Sequence, residues 1–156
     1  MLGSALANIQ DQDKAILHAS CVCVAGCGLL IVGKSGAGKS GLALQMMALG
    51  AGLVADDRVA LCMVEGRAQA DAAPNIAGLI EARGIGLLKA MAAGPSPITY
   101  VVDLDQTEPA RLPEPLTTVV LRQTVPLLRG GGVPNLAAAL MQLLKSGRVD
   151  TEWPSN

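Results

Sequence analysis

Gly33-Lys34-Ser35-Gly36-Ala37-Gly38-Lys39-Ser40 fits the pattern G-x-x-x-x-G-K-[ST] at every defined position, and phosphate chemistry explains each of those positions. Glycines let successive backbone N–H groups turn inward on phosphate oxygens. Lys39 sets a cation against the β and γ oxygens, and Ser40 offers a hydroxyl to Mg²⁺. The flanks agree. Gly28 to Val32 is a short apolar run that reads as a buried strand. Gly41 to Leu49 reads as the following helix, whose N-terminus adds the positive end of its dipole. Strand, glycine loop and helix in that order predict an α/β domain that holds the phosphates of ATP or GTP.

With 156 residues the chain has room for one domain, which we place at 1–149, with 150–156 expected to be a disordered tail. Hydrophobic residues make up 51% of the chain and aromatics 1%. The core must therefore be packed from Leu, Val, Ile, Ala and Met, and stacking on bases is not expected. The net charge of −1, without any run of Lys or Arg, lacks the footprint of a nucleic-acid binder. The longest uncharged stretches, Ala19 to Gly33 and Gly41 to Ala55, fall short of the roughly 20 apolar residues that span a bilayer. The N-terminus has no basic region followed by a long apolar segment, so a cytoplasmic protein without a membrane partner is expected. Cys21 and Cys23 alternate as in a strand rather than in C-x-x-C spacing; with Cys27 and Cys62 they are expected to be small buried residues with reduced thiols.

Along the chain, Ile16 to Val24 has strand character, with a turn at Ala25 to Gly28. Leu53 to Ala55 and Val59 to Val64 read as strands, Glu65-Gly66-Arg67 as a hairpin turn, and Ile85 to Ala90 as a strand or a short helix. Ile98 to Leu104 and Thr117 to Leu121 are further strands. Glu108 to Pro115 is a proline-broken loop, and the three glycines of Leu127 to Pro134 read as another loop. Asn135 is a candidate N-cap for a last helix that ends near Ser146 and stops at Gly147.

Asp56 and Asp57 end the run Leu53-Val54-Ala55, where an open α/β sheet presents side chains to its ligand. An acid there can hold Mg²⁺ or accept a proton from an attacking hydroxyl. Four separated elements, His18, the glycine loop, Val54-Ala55-Asp56-Asp57 and Leu79-Ile80-Glu81-Ala82-Arg83-Gly84-Ile85-Gly86, together resemble the catalytic, C-terminal domain of HPr kinase/phosphorylase over roughly Ile16 to Asn135. The resemblance is to the short form found in some proteobacteria, with Ala82 as the softened position of the signature.

The resemblance implies a single P-loop domain with a phosphoenolpyruvate-carboxykinase-like core and a mixed sheet. It implies a cytoplasmic serine kinase that uses ATP and Mg²⁺ on an HPr-like phosphocarrier and assembles as a homo-oligomer, a hexamer by family resemblance. On the same ground Gly33, Lys34, Ser35, Gly36, Ala37, Gly38, Lys39 and Ser40 bind the nucleotide, and Lys39 steadies the transferring group. Ser40, Glu81 and Asp56 attend the metal, with Arg83 beside Glu81. Asp57 is the general base toward the acceptor serine, and His18 and Arg111 contact the reacting phosphates. The lone His18 on an apolar strand also fits a core histidine, and Arg111 a surface arginine. One departure concerns the reverse reaction, phosphorolysis of phosphoserine: the family places an arginine directly before the asparagine at 135, and here that residue is Pro134, leaving Arg129 a few residues earlier. Two rival readings are an ATP-binding regulatory module without HPr turnover and a kinase for a small metabolite. Intact Asp57 and Glu81 speak against the first, and the lack of a lid rich in Arg and Lys against the second.

Overall fold

The computed structural model describes residues 4–149; the tail proposed at 150–156 lies outside them. Helix α1 (Ser4–Ala7) precedes β1 (Lys14–His18), β2 (Ser20–Val24) and β3 (Cys27–Val32), and the glycine loop leads from β3 into α2 (Lys39–Ala48). Strands β4 (Gly52–Ala55), β5 (Arg58–Val64), β6 (Arg67–Ala72), β7 (Leu79–Ala82), β8 (Gly86–Lys89), β9 (Ser96–Thr107), β10 (Leu116–Val120) and β11 (Gln123–Gly131) follow, and α3 (Leu136–Ser146) closes the described chain.

The sheet is mixed. β3 and β9 pair in parallel, with Val32 opposite Asp103, and β9 pairs in parallel with β11. β2 runs antiparallel to both β3 and β4, which gives β3 and β4 the same direction. Strands β1, β5 and β6 pair antiparallel in that order, and β6 joins the start of β9. β7 and β8 make a separate hairpin.

Strand periodicity divides the apolar residues between two cores. Leu29 and Ile31 of β3, with Val22 and Val102, face α2 and α3, where Met46, Leu140 and Leu144 meet them. Leu30 and Val32 face the other way, into a core shared with Leu61 of β5, Ala70 of β6 and Val125 of β11. Buried on both sides, β3 has the continuous apolar sequence such strands require.

Several sequence expectations are corrected. The stretch from Ile16 to Val24 is two strands, broken at Ala19, where the chain passes from β5 as partner to β3 and β4. Residues Leu127 to Gly131 are strand, not loop, because the glycines there serve close packing: a Cβ on Gly130 would come 2.7 Å from Val102 Cγ2, and one on Gly131 2.8 Å from the carbonyl oxygen of Gln106. The strand expected over Ile98 to Leu104 extends from Ser96 to Thr107, since β3, β6 and β11 all pair with it. Of the two options for Ile85 to Ala90, strand holds, over Gly86–Lys89. Asn135 stands at the N-cap of α3 in a left-handed conformation, yet its side chain makes no capping hydrogen bond. Only Cys21 is buried; Cys23, Cys27 and Cys62 are half-buried, and all four are unbridged.

These packing facts set two opposite expectations for glycine replacement. Gly131→Ala drives a methyl group into backbone and should cost about 1–3 kcal/mol. Gly41→Ala, in the first turns of α2 with open space around its Cβ, should add roughly 0.5–1 kcal/mol. Thermal melts check both, at about 2–4 °C per kcal/mol for a domain of this size.

Candidate active site

Because β3, β4 and β9 share one direction, their carboxyl ends lie along one sheet edge, the place where open α/β sheets bind ligands. The glycine loop follows β3, Asp56 and Asp57 follow β4, and Asp103 and Asp105 stand in the last part of β9.

In the loop, Gly36 and Gly38 adopt left-handed φ values of 86° and 101°, which a side chain would strain. Gly38 is also the N-cap of α2 and supplies no capping side chain, and uncapped N–H groups at a helix N-terminus are suited to an anion. Lys39 folds back over the loop, donating from Nζ to the carbonyl oxygens of Gly33 at 2.7 Å and Lys34 at 3.0 Å. The Lys34 N–H donates to Asp105 Oδ2 at 2.8 Å, tying the loop to β9.

Asp56 is 5% exposed and joins three elements. Its Oδ1 accepts hydrogen bonds from the hydroxyls of Ser40 in α2 and Ser20 in β2, each at 2.7 Å. Its Oδ2 accepts the N–H of Glu81 in β7 at 3.2 Å. The carboxyl group of Glu81 itself lies on an exposed residue.

Asp57 behaves differently. The Arg58 N–H donates to the Asp56 carbonyl at 2.7 Å, closing a γ-turn with Asp57 at its centre and φ at 67°. This strained turn throws the side chain outward, 77% exposed, where its Oδ1 stands 3.8 Å from Nδ1 of His18. His18 is at the end of β1, opposite Arg58, and its side chain is 78% exposed. It is therefore no core histidine. Beside these groups opens a cleft of about 300 Å³ bounded by Leu17, His18, Gly33, Lys34, Asp103 and Asp105.

The structure thus joins Ser40 with Asp56 and the Glu81 backbone, and His18 with Asp57. Arg111 and Arg83 are exposed and make no hydrogen bond or ion pair to another described residue. Arg129 donates to Glu108 Oε1 from Nε at 3.2 Å and from a terminal nitrogen at 3.1 Å. Three residues of the edge escape sequence reasoning. Asp103, 1% exposed, accepts the Asp105 N–H at 2.9 Å and the Gln106 amide at 2.8 Å. Asp103 and Asp105 end an apolar run just as Asp56 and Asp57 do, and that signal could have found them. Ser20 offered none, since only the fold brings it to Asp56.

With this geometry in view, comparison with known proteins gives a consistent answer. Residues 10–107 match the HPr Serine kinase C-terminal domain, and the chain belongs to that family. The HPr kinase/phosphorylase of Aromatoleum aromaticum is 35% identical over 154 residues, covering 84% of this chain and 48% of the relative. That of Clostridium tetani is 40% identical over 88 residues, 54% of this chain and 29% of the relative. The chain therefore spans about half the length or less of these curated relatives. The structure of the HPr(Ser) kinase/phosphatase from Coxiella burnetii superposes with a TM-score of 0.70 at 22% identity, over 84% of this chain and 88% of that one, and it shares the mixed-sheet α/β fold. Among the described residues no helix is long and apolar enough to cross a membrane.

The Glu108–Arg129 pair generates a pH prediction. The Ala110 N–H, foremost, and the Arg129 guanidinium hold the Glu108 carboxyl below the usual glutamate range. A carboxyl lowered in the folded state contributes stability that is complete above its unfolded value near 4.3 and is lost as pH falls through the lower folded value. Glu108→Gln should therefore melt lower than the parent at pH 7, and the gap should close below about pH 4. Melting temperatures across that range check the sign.

Proposed function

We propose that this chain transfers the γ-phosphoryl group of ATP to a serine of an HPr-like phosphocarrier protein. In this reading residues 33–40 are a P-loop on a carboxykinase-like core. One observation carries it: a buried carboxylate, Asp56, bonds the Ser40 hydroxyl of the loop, while the adjacent exposed carboxylate, Asp57, is held out beside His18. The first arrangement suits a phosphate-bound cation and the second an incoming hydroxyl. Family membership supports the choice of acceptor.

In this mechanism Lys39 exchanges its two carbonyl partners for phosphate oxygens as the nucleotide enters. The α2 N-terminus and the loop N–H groups take the remaining charge, and most of the acceleration comes from positioning and neutralisation. Among the described residues no group of three or more His, Cys, Asp or Glu is placed to hold a metal. A hydroxyl and one or two carboxylates nevertheless suit Mg²⁺, which keeps several waters and takes substrate phosphates as ligands. Ser40 and Asp56 would hold it, with Glu81 as a second carboxylate. When bound, Mg²⁺ neutralises charge on the β and γ oxygens. Asp57 takes the serine proton, and His18, within reach of it, orients the carboxylate and faces the phosphates. Arg111, exposed and without an ion pair to another described residue, is the cation proposed to close on the transferring group, and we propose that the chain self-associates as a homo-oligomer. Arg129 is engaged by Glu108 and Pro134 carries no charge, so the forward reaction should exceed phosphorolysis. The cleft of about 300 Å³ beside the loop favours, as a second reading, a small hydroxylated acceptor, since it is at the low end of small-molecule sites.

Mg·ATP at about 100 times its dissociation constant should stabilise the fold by roughly 2.7 kcal/mol, and Lys39→Ala should abolish most of the resulting rise in melting temperature. Asp57→Asn should bind ATP as the parent does while transfer falls by about 10² or more. Near-normal transfer by Asp57→Asn would remove the base assignment.

A further inference from the structure

Ser20 sits on the α2-facing side of β2, in line with Val22 and Val24. A hydroxyl thus occupies a position whose neighbours are apolar, and its side chain is 1% exposed. Its hydrogen bond is the one to Asp56 Oδ1. Buried hydroxyls require such partners, and among the described residues no buried side-chain polar atom lacks one.

The geometry points to Ser20 as a positioning residue of the phosphoryl-transfer site, fixing Asp56 so that Ser40 directs its hydroxyl proton at the carboxylate and its lone pairs at the divalent cation. The inference rests on the reading given under Proposed function. Asp56 is tethered from three sides, and the tethers differ. Ser40 belongs to the loop and helix that must accommodate the nucleotide, and the Glu81 N–H is the long contact, at 3.2 Å, from a hairpin outside the main sheet. Ser20 alone donates from a central sheet strand, where it pairs with Ile31 of β3. With Ser20 removed, the carboxylate keeps the Ser40 hydroxyl and the long Glu81 contact, and Oδ1 loses its one donor anchored in the main sheet, which leaves it freer to turn from Ser40. Partners one bond removed from a metal commonly govern its affinity in this way.

The test is the Mg²⁺ dependence of nucleotide-induced thermal stabilisation, read without turnover using ADP, together with Mn²⁺ binding to the ADP complex followed by electron paramagnetic resonance. Ser20→Ala should require about 10-fold more Mg²⁺ or Mn²⁺ than the parent, with ADP affinity in EDTA unchanged. A metal curve identical to the parent's would overturn the proposal, as would an equal loss of ADP affinity in EDTA, which would mark Ser20 as merely structural. A parent protein with no metal response at all would overturn the phosphoryl-transfer reading along with it, so the two failures are distinguishable. Should Ser20→Ala not fold, Ser20→Cys keeps the volume, donates only weakly and carries the same expectation.

Discussion

A buried carboxylate with too few partners is among the costliest defects a fold can carry, and Asp56 is the carboxylate around which this edge of the sheet is organised. Its two oxygens collect donors from β2, α2 and β7. Each hydrogen bond to a charged group is worth about 1.5–3 kcal/mol. The three fix how α2 and the β7–β8 hairpin sit on the sheet as well as where the Ser40 hydroxyl points. Ile80, next to Glu81, is 1% exposed in the helix-side core, so apolar packing and the Asp56 contact act on the same strand. Stability and site geometry here share their contacts.

The neighbouring aspartate shows the opposite solution. The γ-turn after β4 buries Asp56 and, one residue on, expels Asp57 at positive φ. Adjacent residues of one chemical type thus acquire different environments, one closed into the fold and one open to solvent. The strain is held by a β-ladder on either side, β4 on β2 and β5 on β1, and by the Ala19 N–H, which donates to the Asp57 carbonyl at 3.3 Å. That ladder is also what carries His18 to Asp57.

The glycine loop, its flanking strand and helix, and the Asp-Asp pair were legible in the sequence because each is set by local chemistry: φ > 0 at glycines, an apolar run, charge at its end. What was not legible depended on pairing across the sheet. The break at Ala19 arises because β1 and β2 take different neighbours, which no local pattern announces. Gly130 and Gly131 read as loop, whereas their missing side chains admit Val102 and the Gln106 backbone. Ser20 carried no signal, since its importance lies in a residue 36 positions away. Arg129 looked available to a phosphate until the fold set it against Glu108.

The central claim is that these residues carry a phosphoryl group from ATP to a serine of a phosphocarrier, and mass spectrometry tests it most directly. The protein is incubated with Mg·ATP and an HPr-like phosphocarrier, and the intact carrier is weighed and its modified residue mapped. The account predicts the added mass of one phosphoryl group on a single serine, dependent on Mg²⁺. An unmodified carrier, with phosphate appearing instead on a small hydroxylated metabolite or nowhere, would contradict it.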